Sequence, residues 1–250
     1  MRKYLLLLLN LTCLACFGQF NVYYDFSRPL GEEGQHISAA HGFSFSFEGR
    51  LKNHSPFLVG AEVGLNYYGL NTVTEDLQFH NDPHITKTDV HYATSFNTYA
   101  LTMKLQPETD KKVKPYGLMR MGVLHYHSNM TIDDPNDPLG CKPLEKKVLV
   151  KDFTWMASGG IGTSIKWQLF NPKSSTRLQL DFAALYTVGG PADYLKMIKD
   201  PGTVDPKGKL YYVEFENNAS GEVHDHPLGR VYTSYTSLLG FRAGVRFVFD

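Results

Sequence analysis

The chain has 250 residues with 25 acidic and 25 basic side chains, and 13% of it is aromatic. Such balance gives no electrostatic case for nucleic acid, which calls for a basic patch. Of the three cysteines, Cys13 and Cys16 lie in the first segment, so an exported chain keeps Cys141 alone and forms no intramolecular disulfide.

Met1-Arg2-Lys3, a nearly unbroken apolar run from Tyr4 to Leu14, and Ala15-Cys16-Phe17-Gly18-Gln19 follow the basic, apolar, small-residue order of a secretory signal peptide. The run is too short to span a bilayer. Cleavage is expected after Gly18, which divides the chain into a signal peptide at 1–18 and one barrel domain at 19–250. A lipoprotein alternative uses Cys16, but Cys13 stands where a leucine is expected.

From Phe20 to Ser27, Phe20, Val22, Tyr24 and Phe26 alternate with Asn21, Tyr23, Asp25 and Ser27, the period of a β-strand. Arg28-Pro29-Leu30-Gly31 breaks that strand. Phe43, Phe45, Phe47 and Leu51 then alternate with Ser44, Ser46, Glu48 and Arg50. After the short turn 52–56, Phe57, Val59, Ala61, Val63, Leu65 and Tyr67 oppose Leu58, Gly60, Glu62, Gly64, Asn66 and Tyr68. Residues 71–94 read as a long polar loop. Tyr99, Leu101, Met103 and Leu105 follow, opposite Thr98, Thr102 and Lys104, and a short turn at 107–112 leads to a less regular strand, 113–127. There Met119, Met121 and Val123 face one way, Arg120 and Tyr126 the other.

A second long loop, 128–153, precedes a strand with Trp155, Ala157, Ile161, Ile165 and Trp167 against Ser158, Ser164 and Lys166. Past the short turn 171–175, Leu178, Leu180, Phe182, Ala184 and Tyr186 oppose Arg177, Gln179 and Asp181. The longest loop, 189–233, leads to the closing strand. That strand sets Tyr235, Leu239, Phe241, Val245, Phe247 and Phe249 against Arg242, Arg246 and small or polar residues.

Eight strands joined alternately by long loops and short turns fit an antiparallel up-and-down transmembrane β-barrel, all-β and single-domain. Alternation at Leu210–Phe215 suggests a ribbon within the last loop, or two more wall strands and ten in all. Because a soluble lipocalin-like carrier also alternates, with its apolar face inside, a second ruler is needed. Trp155 and Trp167 share a face about 40 Å apart along the strand, or about 30 Å in height at a tilt of about 40°. That separation suits two aromatic girdles, with Tyr67, Tyr186 and Tyr235 at the outer rim and Phe57, Phe247 and Phe249 at the inner one.

The signal segment ending near Gly18-Gln19, the hairpin Gly42–Leu51 running into Val59–Gly69, and the terminal strand resemble the outer-membrane β-barrel domain proteins common in Bacteroidetes. The likeness covers essentially the whole mature chain. It implies a Gram-negative outer membrane but carries no reaction.

Asp25, Glu48, Glu62 and Asp181 share the expected interior with Arg50, Lys104, Arg120, Lys166, Arg242 and Arg246. Paired carboxylates serve acid/base chemistry and an arginine-lined lumen holds anions. An eight-stranded barrel, however, is just wide enough for side chains to fill it, and buried charges must pair. A structural ion-pair network is therefore the expectation. His125, His127 and Ser128 meet the outer surface without an identifiable partner acid, as polar interface residues or as parts of a hydrolase or acyltransferase site. His224-Asp225-His226 and the acidic run Asp133–Asp137 lack a full metal-ligand set. Asn129-Met130-Thr131 and Asn218-Ala219-Ser220 match a glycosylation pattern and are assigned nothing.

The expectation is thus a non-catalytic outer-membrane barrel without cofactor, its interior polar and filled. Its outer loops are the surface for an extracellular protein or glycan, its wall meets outer-membrane lipid, and periplasmic chaperones and the barrel-insertion machinery serve its assembly. A small-solute pore, a lipid-modifying enzyme and a soluble periplasmic carrier are the competing readings.

Overall fold

The computed structural model describes residues 18–52, 55–78, 85–109, 111–134, 144–167, 177–197, 208–216 and 223–248. The expected signal segment up to Phe17, and Cys141, lie outside the described residues. The strands are β1 (Gly18–Pro29), β2 (Ala40–Arg50), β3 (Phe57–Gln78), β4 (Ile85–Leu105), β5 (Val113–Ile132), β6 (Glu145–Lys166), β7 (Leu178–Met197), β8 (Lys209–Glu216) and β9 (Val223–Val248), with one helical turn, α1 (Glu33–His36), between β1 and β2.

Antiparallel pairing runs from β1 through β7, from β7 to β9, and back from β9 to β1, where Phe20 faces Phe247 and Phe26 faces Phe241. Eight strands therefore close the ring. β8 pairs only with the outer part of β9, from Lys209↔Val231 to Glu216↔Val223. The segment Leu210–Phe215 is thus a ribbon above the wall, and the ten-strand alternative does not form.

Phe45, Leu101, Met121, Ile161, Phe182 and Phe241 stand exposed on the outside of this ring, and Ile161 is 74% accessible. The residues between them, such as Ser46, Thr102, Arg120 and Asp181, are buried inside. Burying apolar surface is worth about 25 cal/mol per Å², and a continuous apolar exterior recovers that only in hydrocarbon. The barrel spans a membrane with its strands. The soluble-carrier alternative is overturned, since it needs the apolar face inside. Among the described residues no helix is long and apolar enough to cross a membrane.

Within 71–94, 128–153 and 189–233 the described residues are largely strand rather than loop. β3 and β4 pair as far as Gln78↔Ile85, β5 and β6 as far as Ile132↔Glu145, and β7 and β9 as far as Met197↔Gly229. The periodicity disappears there because its phase reverses. Along β4 the outward side is apolar from Leu105 to Tyr99 and then becomes Asn97, Ser95 and His91, while the inward side changes from Lys104 and Thr102 to Phe96, Tyr92 and Val90. A strand leaving the membrane has water outside and must hide its apolar side chains within.

Pairing between β6 and β7 stops at Met156↔Gly189. Beyond that point the upper parts of β7, β8 and β9 pack against those of β4, β5 and β6. Val90, Tyr92, Met130, Ile132, Leu149 and Leu195 are buried between them, backed by Met197, Tyr211, Leu228 and Val231. The Asp193 backbone N–H donates to Asp152 Oδ2 at 2.8 Å across the gap between β6 and β7. This upper structure caps the barrel with an ordinary hydrophobic core.

Candidate functional site

The interior is filled in three levels. In the lowest, Lys104 Nζ donates to Glu48 Oε2 at 2.7 Å. The Arg246 guanidinium donates to Asn21 Oδ1 at 3.1 Å, to Gln106 Oε1 at 3.0 Å, and to Asp181, which also accepts the Tyr116 hydroxyl. The Tyr116 ring lies 4.8 Å beneath Lys104 Nζ. Each cation therefore has a carboxylate and an aromatic face, the arrangement under which a buried charge is tolerable.

In the middle level Glu62 is clamped from two sides. Arg242 donates Nη1–H to Oε2 at 2.8 Å and Nη2–H to Oε1 at 3.0 Å, while Arg120 donates to Oε1 at 2.5 Å. Arg242 Nε lies 3.2 Å from Asp25 Oδ1, and its guanidinium sits 4.7 Å over the Tyr23 ring. Arg120 reaches on to Ser158 and Thr187. Strand register brings these groups together, because β1, β3, β5, β6, β7 and β9 send inward positions to about the same height.

Eight of the ten expected interior charges, Asp25, Glu48, Glu62, Lys104, Arg120, Asp181, Arg242 and Arg246, are buried, four acids against four bases. Arg50 and Lys166 are only half-buried, near the end where the short turns lie. Arg50 donates to the Ser55 carbonyl at 2.5 Å, holding the β2–β3 turn rather than joining the core.

The upper level was not legible as a site in the sequence. Gly31, with φ at +62°, turns the chain after β1, and Gly34 lies so close to Pro29 that an added Cβ would meet its carbonyl oxygen at 2.6 Å. That tight path drops α1 into the mouth of the barrel. Glu33, 1% accessible, accepts the Tyr126 hydroxyl at 2.6 Å and the Ser237 N–H at 3.2 Å. Around it lie Tyr68, Phe96, Leu124, Met156, Tyr194 and Tyr232, and His36 stacks on Tyr232 at 3.8 Å. Burial pushes the Glu33 carboxyl up to about 7, the two hydrogen bonds opposing the rise.

Between the middle and upper levels lies a void of about 20 Å³, room for roughly one water. A pocket of about 230 Å³ opens beside α1, bounded by Ser38, Tyr68, Thr94, Leu195 and Lys196. A larger concavity, about 1150 Å³, is shallow and apolar and lies on the outer wall around Ile161, Phe182, Ala184 and Phe241. Such an apolar groove on the lipid-facing side of the wall suits hydrocarbon.

His125 and His127 lie on the outside of the wall with ring centroids 5.3 Å apart. Ser128 takes the opposite face of β5 and is buried, so the hydroxyl and the imidazoles do not converge. His91 Nε2 meets Asp133 Oδ2 at 2.8 Å. Residues 135–137 and the side chains of His224, Asp225 and His226 lie outside the described residues. Among the described residues no group of three or more His, Cys, Asp or Glu is placed to hold a metal.

The chain matches no protein-family model and no curated protein. Among solved structures it is similar to Neisserial surface protein A, with 12% identity over 93% of this chain and 96% of that one and a TM-score of 0.37. Ail, the attachment invasion locus protein of Yersinia pestis, gives 11% identity over 92% and 97% at a TM-score of 0.34. The outer membrane protease OmpT from Escherichia coli gives 9% over 85% and 65% at 0.35.

Proposed function

We propose that the protein is an outer-membrane barrel of the kind common in Bacteroidetes, exported on residues 1–18. In this reading it acts as a rigid scaffold that displays its long upper strands for non-catalytic binding at the cell surface. The observation that carries the proposal is the filled lumen. Two ion-pair levels, an aromatic plug and an apolar cap lie in series, and the described residues leave no wide path for solute. A pore is disfavoured by that stack, and lipid hydrolysis by the separation of Ser128 from His125 and His127. Large connections on a rigid scaffold are where binding residues concentrate, and here they are stiffened into paired strands suited to an extracellular protein or glycan.

The test combines protease shaving of intact cells with planar-bilayer recording of the purified barrel. Cleavage confined to the upper connections, together with the absence of conductance steps, is the expected result. Steady unitary conductance, or protection of those connections from external protease, overturns the proposal.

A further inference from the structure

The outer wall of β4, β5 and β6 changes character within two residues. Tyr99, Val123 and Trp155 form an apolar row; the next row is Asn97, His125 and Phe153, and the one above it Ser95, His127 and Lys151. The His125 ring stacks on Phe153 at 4.1 Å with 8° between planes. His127 lies beside His125, and Lys151 Nζ is 5.5 Å from the Phe153 ring centroid. Higher on β6, Lys146 faces the same way. On these three outward faces no acidic residue occurs from Tyr99 up to His91 on β4, from Val123 to Thr131 on β5, or from Trp155 to Lys146 on β6. Asp152 points inward, where the Asp193 backbone N–H occupies it.

A lysine and two imidazoles, with an aromatic floor, thus sit just where the apolar band ends. Phosphates of membrane lipids lie at that height, and charge-assisted hydrogen bonds to them are among the stronger ones proteins make. We propose that Lys151, His127 and His125 form a binding site for the phosphorylated headgroup of a glycolipid in the adjoining leaflet. Lys151 supplies the fixed charge, the imidazoles donate to phosphate oxygens, and exposed Phe153 and Trp155 lie against the sugar and the upper acyl carbons. The site rests on the membrane-spanning reading of the barrel, which a central Ile161→Arg substitution tests independently.

The experiment is native mass spectrometry of the folded full-length mature chain in detergent. The probes are diphosphoryl lipid A, its fully dephosphorylated form, and inorganic phosphate. Wild type is expected to retain diphosphoryl lipid A about tenfold or more over K151A/H127A, the effect of losing at least one hydrogen bond to a charged group, and to retain the dephosphorylated form no better than the variant does. Raising salt from about 50 mM to about 500 mM should weaken wild-type retention. Equal retention by wild type and variant, or equal retention of both lipids by wild type, overturns the site. Displacement of the lipid by an equal concentration of inorganic phosphate overturns the headgroup assignment. Heat-modifiability on a gel checks that the variant is folded, and the single substitution K151Q, which keeps the length of the side chain, stands in if it is not.

Discussion

Glu33 makes the stability of the outer plug depend on pH in a direction opposite to most carboxylates. Its carboxyl titrates near 7 in the folded chain, against 4.5 for a free side chain, and each unit of difference corresponds to about 1.36 kcal/mol. The folded state therefore binds the extra proton between those two values. Stability is full below about pH 4.5 and declines as pH rises through about 7, by on the order of 3 kcal/mol from this group. The groups facing Glu33 from neighbouring elements are the hydroxyls of Tyr126 and Thr236, the Ser237 backbone N–H and, beyond them, Tyr68 and Tyr194, with His36 and Glu32 on its own segment. Glu33→Gln keeps an acceptor for Tyr126 and removes the titration. Urea unfolding from lipid vesicles at pH 5, 6, 7 and 8 is the assay, with protease accessibility of the α1 segment as a local readout. The variant should match wild type at pH 5 and exceed it increasingly toward pH 8, whereas Tyr126→Phe, by removing a bond to the ionised form, should move the wild-type decline to higher pH. Parallel curves for wild type and Glu33→Gln would refute the reasoning, since every other titrating group is common to both.

Ile161→Arg places a charge on the most exposed part of the apolar wall. It should cost about 2 to 4 kcal/mol in a lipid-refolding titration, against about 0 to 1 for Trp155→Arg at the rim; equal costs would contradict the membrane placement. Glu62→Ala strips Arg120 and Arg242 of their shared carboxylate and should lose about 3 to 5 kcal/mol, whereas Glu32→Ala in the exposed connection should lose far less. Equal urea midpoints for that pair would mean that the middle ion-pair level does not hold the barrel together. Replacing residues 198–228 by a short turn joins β7 to β9 at their last pair, Met197↔Gly229. The product should still insert and shift on heating but lose the surface interaction, and failure to insert would make β8 part of the folding unit.

Period-2 alternation carried the barrel because within the membrane each strand has one constant environment on each side. It placed Glu62, Arg120 and Arg242 on inward faces from three distant parts of the chain, although the clamp among them depends on register that no single strand reveals. Arg50 and Lys166 obey the same alternation but lie at the short-turn end and are only half-buried, so parity alone assigns the face and not the depth. The same rule failed above Tyr99, Val123 and Trp155. There the solvent outside changes from hydrocarbon to water, so an apolar side chain that belonged outside now belongs inside, and Val90, Tyr92, Met130 and Ile132 break the pattern by keeping to the inward positions. Read for a phase reversal instead of a loss of period, residues 85–105 and 113–132 give both the strand extension and the height of the membrane surface. Glu33 has no such signature: a single acid in a four-residue helix between strands looks like a solvated loop, and only the path forced by Gly31 and Gly34 sends it into the aromatic mouth. The reversal in β4, β5 and β6 also explains why the polar rows with Lys151 sit where they do, since the first outward positions released from hydrocarbon are the first that tolerate His125, His127 and Lys151.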